Sequence, residues 1–181
     1  MRLANRVALI TGAGSGIGRA IALRYAAEGA AVVVADVRAA SGQETAARIE
    51  QLGGRALAVE MDVTRSADVQ RTVEAARDTF GSIDVLVNNA AIPDGGDILE
   101  TDEATFDRVI AVVLKRVFLC TQAVLQPMIA RRRGVIVNVS SVNGLLGLGH
   151  DAYSAAKAGV INLTQNVATR YGPHGIRANV I

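Results

Sequence analysis

Short, continuously apolar runs alternate along the chain with longer amphipathic ones. Residues 7–10, 31–35, 56–59, 85–87, 135–139 and 178–181 are dominated by Val, Ile, Leu and Ala and lack the strict alternation of a half-exposed strand. That pattern predicts strands buried on both faces of a parallel sheet. Helical periodicity covers residues 16–28, 41–52, 66–80, 101–131 and 152–171. Ser41 and Thr101 stand where N-caps are expected, and Gly29 and Gly172 where two helices should close. Pro127 inside the long fourth helix predicts a bend or a break there. Alternation of this kind predicts an α/β fold, a doubly wound parallel sheet with helices on both faces. No internal repeat, linker or low-complexity tract divides the 181 residues, so a single domain over residues 1–181 is expected.

Composition narrows the function classes. Half the residues are hydrophobic but only 3% are aromatic, so the core must be filled by Ala, Val, Leu and Ile. A net charge of +2 gives no electrostatic footprint for nucleic acid, and the one basic run, Arg131-Arg132-Arg133, reads as a solvated loop. Cys120 has no partner for an internal disulfide and reads as a buried thiol. His150 and His174 lack metal-ligand spacing, so no metal is expected. The apolar run after Arg2 and Arg6 is too short for a signal-peptide core, and no apolar stretch reaches the length of a membrane span. A cytoplasmic protein without membrane partners is the expectation.

Two stretches carry chemistry. The first, "TGAGSGIG" at Thr11 to Gly18, follows a predicted strand and opens a predicted helix. Glycines there let the backbone turn sharply and approach a pyrophosphate, whose charge meets the helix N-terminus. The spacing is T-G-x-x-x-G-x-G, with Gly12, Gly16 and Gly18; the generic G-x-G-x-x-G fails because its last glycine would fall at Ile17. Asp36, at the end of the second predicted strand, is placed to accept hydrogen bonds from an adenosine ribose. A carboxylate there repels a ribose 2′-phosphate, and Ser15 stands where a basic residue could have bound one, which favours NAD over NADP; Arg38 is a mild counter-signal. The second stretch is "DAYSAAKAG" at 151–159. Tyr153 and Lys157, four apart on a helix, share a face, and an ammonium beside a phenol favours the phenolate, one route to an acid–base catalyst.

With the glycine turn, "NNAA" at 88–91 and "YSAAK" at 153–157 in this order, the chain resembles a classical short-chain dehydrogenase/reductase over essentially its whole length. The resemblance implies a Rossmann-type fold and an NAD-dependent oxidoreductase that moves a hydride between NAD(H) and a small secondary alcohol or carbonyl. It implies that Tyr153 is the acid–base and that Lys157 supports its ionisation and holds the nicotinamide ribose. In "NVSSVNG" it assigns Ser141, the second of the pair Ser140 and Ser141, to the substrate oxygen. Gly12, Ser15, Gly16, Ile17 and Gly18 would cradle the cofactor phosphates, Asp36 its ribose, Asp62 and Val63 its adenine, and Asn88 and Ala90 its flank. Family members commonly assemble through the fourth and fifth long helices, so a homo-oligomer is implied.

The chain departs from the family pattern in three places. Ala91 replaces the glycine of N-N-A-G. In the fourth long helix, Val113 and Arg116 replace the Asn and Gly of N-x-x-G. That asparagine is held to anchor a water serving the active-site lysine, and valine can neither donate nor accept the bond. Third, "GIRANVI" reads as the start of a sixth strand, so a truncated sheet lacking the family's last strands and substrate-covering loop is expected. The second and third departures keep an alternative open: a catalytically impaired or inactive nucleotide-binding or assembly module. Nucleic-acid binding rests only on three arginines and the isoelectric point.

Overall fold

The computed structural model describes residues 1–92 and 96–181. Six strands form one parallel sheet: β1 (Val7–Thr11), β2 (Ala31–Asp36), β3 (Arg55–Glu60), β4 (Val85–Asn88), β5 (Gly134–Asn138) and β6 (Ile176–Val180). Their order is β3-β2-β1-β4-β5-β6, the doubly wound order in which the chain crosses from one half of the sheet to the other between β1 and β4. Every residue of β1, β2 and β4 is buried, as the unbroken apolar runs require. The edge strand β6 alternates between buried and more exposed positions, and so does β5 beside it. Burial on both faces thus holds for the middle of the sheet and fails toward both edges, the other edge strand β3 having no fully buried residue.

Helices α1 (Gly16–Ala27) and α2 (Ala39–Gln51) pack on one face, where Ala22, Ala46 and Ile49 meet Ala8, Ile10, Val32, Val34 and Val87. Helices α3 (Ser66–Phe80), α5 (Arg116–Ala130) and α6 (Asp151–Tyr171) pack on the other. There Val69, Cys120, Val124 and Val167 meet Leu9, Val33, Leu86 and Ile136. The alternation of Ala8, Leu9 and Ile10 between these cores is the period-2 rule of a strand applied twice.

Several boundaries differ from the sequence expectation. The helix 101–131 starts at Glu103, capped by Asp102, whose carboxylate accepts the Thr105 N–H at 2.8 Å; Thr101 is not the cap. The second helix starts at Ala39, so Ser41 lies within it, its carbonyl accepting from the Thr45 hydroxyl. Gly172 has right-handed helical backbone and leads into a short 3₁₀ turn; the left-handed residue that ends the turn is Gly175. Pro127 does not interrupt α5. The irregularity comes earlier, as a π-helical turn at Ala111–Lys115 between α4 (Glu103–Ile110) and α5.

That continuous helix, Glu103–Ala130, holds an 18-residue stretch of mean hydropathy 1.6, by length and composition apolar enough to cross a membrane, contrary to the expectation that no stretch qualifies. Here its Cys120, Val124 and Met128 are spent on the sheet's core. Arg131, Arg132 and Arg133 are exposed but anchored, donating respectively to the Ile83 carbonyl, the Pro173 carbonyl and the buried Asp84 carboxylate. They fasten the turn between α5 and β5.

Gly175 sets the entry to β6. Its φ is +80°, and a Cβ there would lie 2.1 Å from the Arg132 carbonyl oxygen. Gly175→Ala therefore combines left-handed strain with a backbone clash and should lower stability by more than about 1 kcal/mol. A urea melt beside the parent chain measures this; an unchanged midpoint would mean the turn tolerates another geometry.

Candidate active site

Thr11, the last residue of β1, gathers the nucleotide end of the site. Its buried hydroxyl accepts the backbone N–H groups of Asn89 at 3.0 Å and Ala90 at 3.1 Å, and the Asn89 side-chain amide donates to the Thr11 carbonyl. The "NNAA" segment is thereby fastened across the gap between β1 and β4. Gly12 turns the chain at φ +65°, and a Cβ on it would lie 2.9 Å from Ala90 Cα. Gly18 is required for closeness instead: its Cβ would fall 2.1 Å from the Gly12 carbonyl oxygen. Gly16 opens α1 at φ +53° with open space beside it. A close backbone turn at the N-terminus of a helix of 12 residues fits a pyrophosphate.

A cleft of about 840 Å³ lies over this turn, within the ~300–1,000 Å³ typical of small-molecule sites. Gly12, Ser15, Gly16, Ile17, Asp36, Asp62, Val63 and Ala90 all line it. Gly18 and Asn88 do not line it. Asn88 is buried, and its amide donates to Asn138 of β5 at 2.9 Å; Asn89 is the asparagine that reaches the cleft. Asp36 is 5% exposed, and its carboxylate accepts the Gly14 N–H at 2.8 Å and the Arg38 N–H at 2.9 Å. The Arg38 guanidinium reaches over to the Ser15 hydroxyl at 2.9 Å. Asp62 caps its own turn, accepting the Thr64 N–H and hydroxyl. The donors and glycines present thus fit a dinucleotide.

Sequence reasoning missed two supports of the turn. A Cβ on Gly14 would lie 2.7 Å from the Asp36 carboxylate, so this glycine is what lets turn and acid meet. Arg19 bonds the Gly14 carbonyl and also the side chains of Thr45 and Glu44, tying the turn to α2.

At the other end stand Ser141, Tyr153 and Lys157. Lys157 is 1% exposed; its ammonium donates to the Val139 carbonyl at 2.6 Å and lies 5.3 Å from the Tyr153 ring centroid. The Ser140 hydroxyl donates to the Lys157 carbonyl at 3.0 Å, so the segment leaving β5 grips both ends of that residue. Ser141 opens the 3₁₀ turn Val142–Gly144, its hydroxyl accepting the Asn143 N–H at 3.2 Å. Asn143, also unforeseen, donates to the Gly149 carbonyl and the Ser154 hydroxyl, joining this turn to the start of α6. Gly144 permits the approach: a Cβ would meet the Lys157 carbonyl carbon at 2.8 Å. Ile92 connects the two ends, lining the cleft and packing with Tyr153 beside Val109, Val113, Ala152 and Ala156.

The departures from the family pattern separate clearly. Ala91 is exposed and free of left-handed backbone, so the added methyl costs nothing visible. Val113 and Arg116 are both fully buried, and Val113 packs against α6. Burial pushes the Arg116 guanidinium down to about 10, and burial followed by the charge of Arg116 pushes Lys157 down to about 8. Burial raises the Cys120 thiol to about 11, which leaves it an inert structural group. Among the described residues no cluster could hold a metal ion.

Comparison with known proteins agrees with this geometry. The family model described as "short chain dehydrogenase" matches residues 6–181. A (2S)-[(R)-hydroxy(phenyl)methyl]succinyl-CoA dehydrogenase subunit of Thauera aromatica is 43% identical over all of this chain and 73% of its own length. A cis-4-hydroxycyclohexanecarboxylate dehydrogenase of Sinomonas cyclohexanicum is 46% identical over 98% of this chain and 72% of its own. The crystal structure of levodione reductase superposes with a TM-score of 0.95 at 38% identity, covering 99% of this chain and 71% of that one. With this sheet order, glycine turn and Tyr-Lys pair, the chain belongs to the short-chain dehydrogenase family of oxidoreductases.

Proposed function

We propose that the chain binds NAD(H) in the cleft between β1 and β4 and that Tyr153 exchanges a proton with the oxygen of a secondary alcohol or carbonyl substrate. The observation that carries this reading is the Lys157 ammonium, buried 5.3 Å from the Tyr153 ring at the end of a glycine-cradled cleft. The nicotinamide, when bound, accepts or supplies the hydride. Ser141 orients the substrate oxygen, with Asn143 holding its turn, and Lys157 supports the charge that develops on Tyr153. Two relatives are, by name, dehydrogenases of a hydroxylated succinyl-CoA and a hydroxylated cyclohexanecarboxylate, which supports an alcohol substrate. Assembly through α5 and α6 is part of the proposal; a groove between them exposes Phe118 beside Leu125 and Leu163.

Asp36 supports NAD over NADP. Its carboxylate is fixed by two backbone donors at the cleft wall, where a 2′-phosphate would meet like charge. A titration followed by cofactor fluorescence should show saturable NADH binding and at least about tenfold weaker NADPH binding, a gap of ~1.4 kcal/mol. Asp36→Ala should narrow that gap, and equal binding of both cofactors by the parent chain would refute the assignment. If Tyr153 is the acid–base, Tyr153→Phe lowers alcohol oxidation by roughly 10²–10⁴-fold while NADH binding changes little. Retained turnover in that variant would remove Tyr153 from the chemistry.

A second reading, impaired turnover, is favoured by the burial of Val113 and Arg116 against the Lys157 side of the site. On this reading Val113→Asn combined with Arg116→Gly raises the rate of NAD-linked alcohol oxidation. A double variant that binds NADH and gains nothing counts against it.

A further inference from the structure

Arg116 opens α5 directly after the π turn and is 0% exposed, yet none of its three guanidinium nitrogens finds a hydrogen-bond partner among the described residues. One turn before it on the same helix face, Val113 packs in an apolar layer with Val109, Ala152 and Ala156. Lys157, next to Ala156 of that layer, is buried as well, and among the described residues its ammonium donates to a neutral carbonyl, that of Val139. Among the described residues no carboxylate pairs with either cation. Tyr153 faces Lys157 from its own helix, and Arg116 and Cys120 come from α5. Asp151 and His150 at the start of α6 are exposed, as are Glu103, Asp107 and Arg108 of α4, Lys115 of the π turn and Arg177 of β6. The 3₁₀ turn and the segment leaving β5 bring no titratable side chain.

Two like charges in a low-dielectric layer make each other's protonated form costly. Guanidinium keeps its proton where an amine yields it, so the burden falls on the lysine. We propose that Arg116 is a positioning residue acting through Lys157, a fixed second cation that governs how much charge Lys157 presents to Tyr153. Burial and then Arg116 draw Lys157 down to about 8, so its charge falls as the pH rises through that range while the Arg116 charge stays fixed. The impairment expected from the loss of the family's asparagine thereby gains a pH dependence. What that charge does in catalysis rests on the oxidoreductase reading; the charge itself does not.

Trace acetylation of amines by acetic anhydride between about pH 7 and 11, read by peptide mass spectrometry, reports the proton uptake of each lysine. The chain has two lysines, Lys157 and the exposed Lys115, so Lys115 serves as the internal standard. In Arg116→Met the labelling midpoint of Lys157 should move up by about one pH unit, stopping short of the ordinary 10.5 because burial persists, while Lys115 stays in place. Arg116→Gln should give the same direction and serves if the methionine packs poorly. A Lys157 midpoint unmoved in both variants would assign its behaviour to burial alone and overturn the proposal. Neither cofactor nor turnover enters the measurement, so a failed NADH titration and an unmoved midpoint are separable results.

Discussion

The site depends on how the gap between β1 and β4 is closed. At this point of the sheet the chain order reverses, the connections diverge to opposite faces, and a crevice is left at the carboxyl ends of the strands. Thr11 bridges that crevice floor: its hydroxyl takes two backbone N–H groups from the segment leaving β4, and its carbonyl takes the Asn89 amide. These groups are buried or partly so, and without Thr11 they would carry the desolvation cost of unpaired donors. Once they are fixed, Gly12 can turn against Ala90, and Gly18 can bring α1 down onto the Gly12 carbonyl. The cleft follows from these contacts, with Asp36 and Asp62 brought to it by β2 and β3.

The end of the cleft that holds Tyr153 and Lys157 rests on a different arrangement, the pinning of α6 to the exit of β5. Ser140 holds the Lys157 carbonyl while the Val139 carbonyl holds its ammonium, so two successive residues fix both ends of one lysine. Asn88, Asn138 and Thr164 continue the tie beneath as a buried chain of hydrogen bonds from β4 through β5 to α6. Such polar contacts inside an apolar core specify one position of the helix, because sliding it would leave several groups unpaired at once. Tyr153, one turn before Lys157, inherits that position.

The central sheet was legible because burial on both faces writes itself as unbroken apolar runs, and the glycine turn because its spacing reflects local geometry. What the sequence hid depends on partners far along the chain. Arg19 reaches residues 25 and 26 positions away, and Thr11 meets a segment 78 and 79 positions on. No local pattern separates Asn88, which braces β5, from Asn89, which reaches the cleft, since both are amides in adjacent positions. The helix start was missed by two residues because Asp102 competes with Thr101 for the same capping role, and only the bond to Thr105 decides between them. The π turn left no trace, since Ala-Val-Val-Leu-Lys suits an ordinary helix equally well.

That turn marks where this chain differs most from its family's pattern. The shared face of Val113 and Arg116 followed from helical spacing, but whether a cation there would bend to solvent or stay inside did not. A long side chain commonly carries its charge out to water. Arg116 does not: it is fully buried, and its guanidinium finds no hydrogen-bond partner among the described residues. A buried unpaired charge is among the costlier features a fold can carry, and the surrounding contacts must offset it. They are abundant here: Cys120 and Val124 join the sheet core on one side, and Val113 joins Ala152 and Ala156 on the other. The helix is held too firmly by its neighbours to rotate Arg116 outward. The packing that positions α6 therefore also encloses the cation of Arg116, and the electrostatics around Lys157 follow from the core that surrounds them.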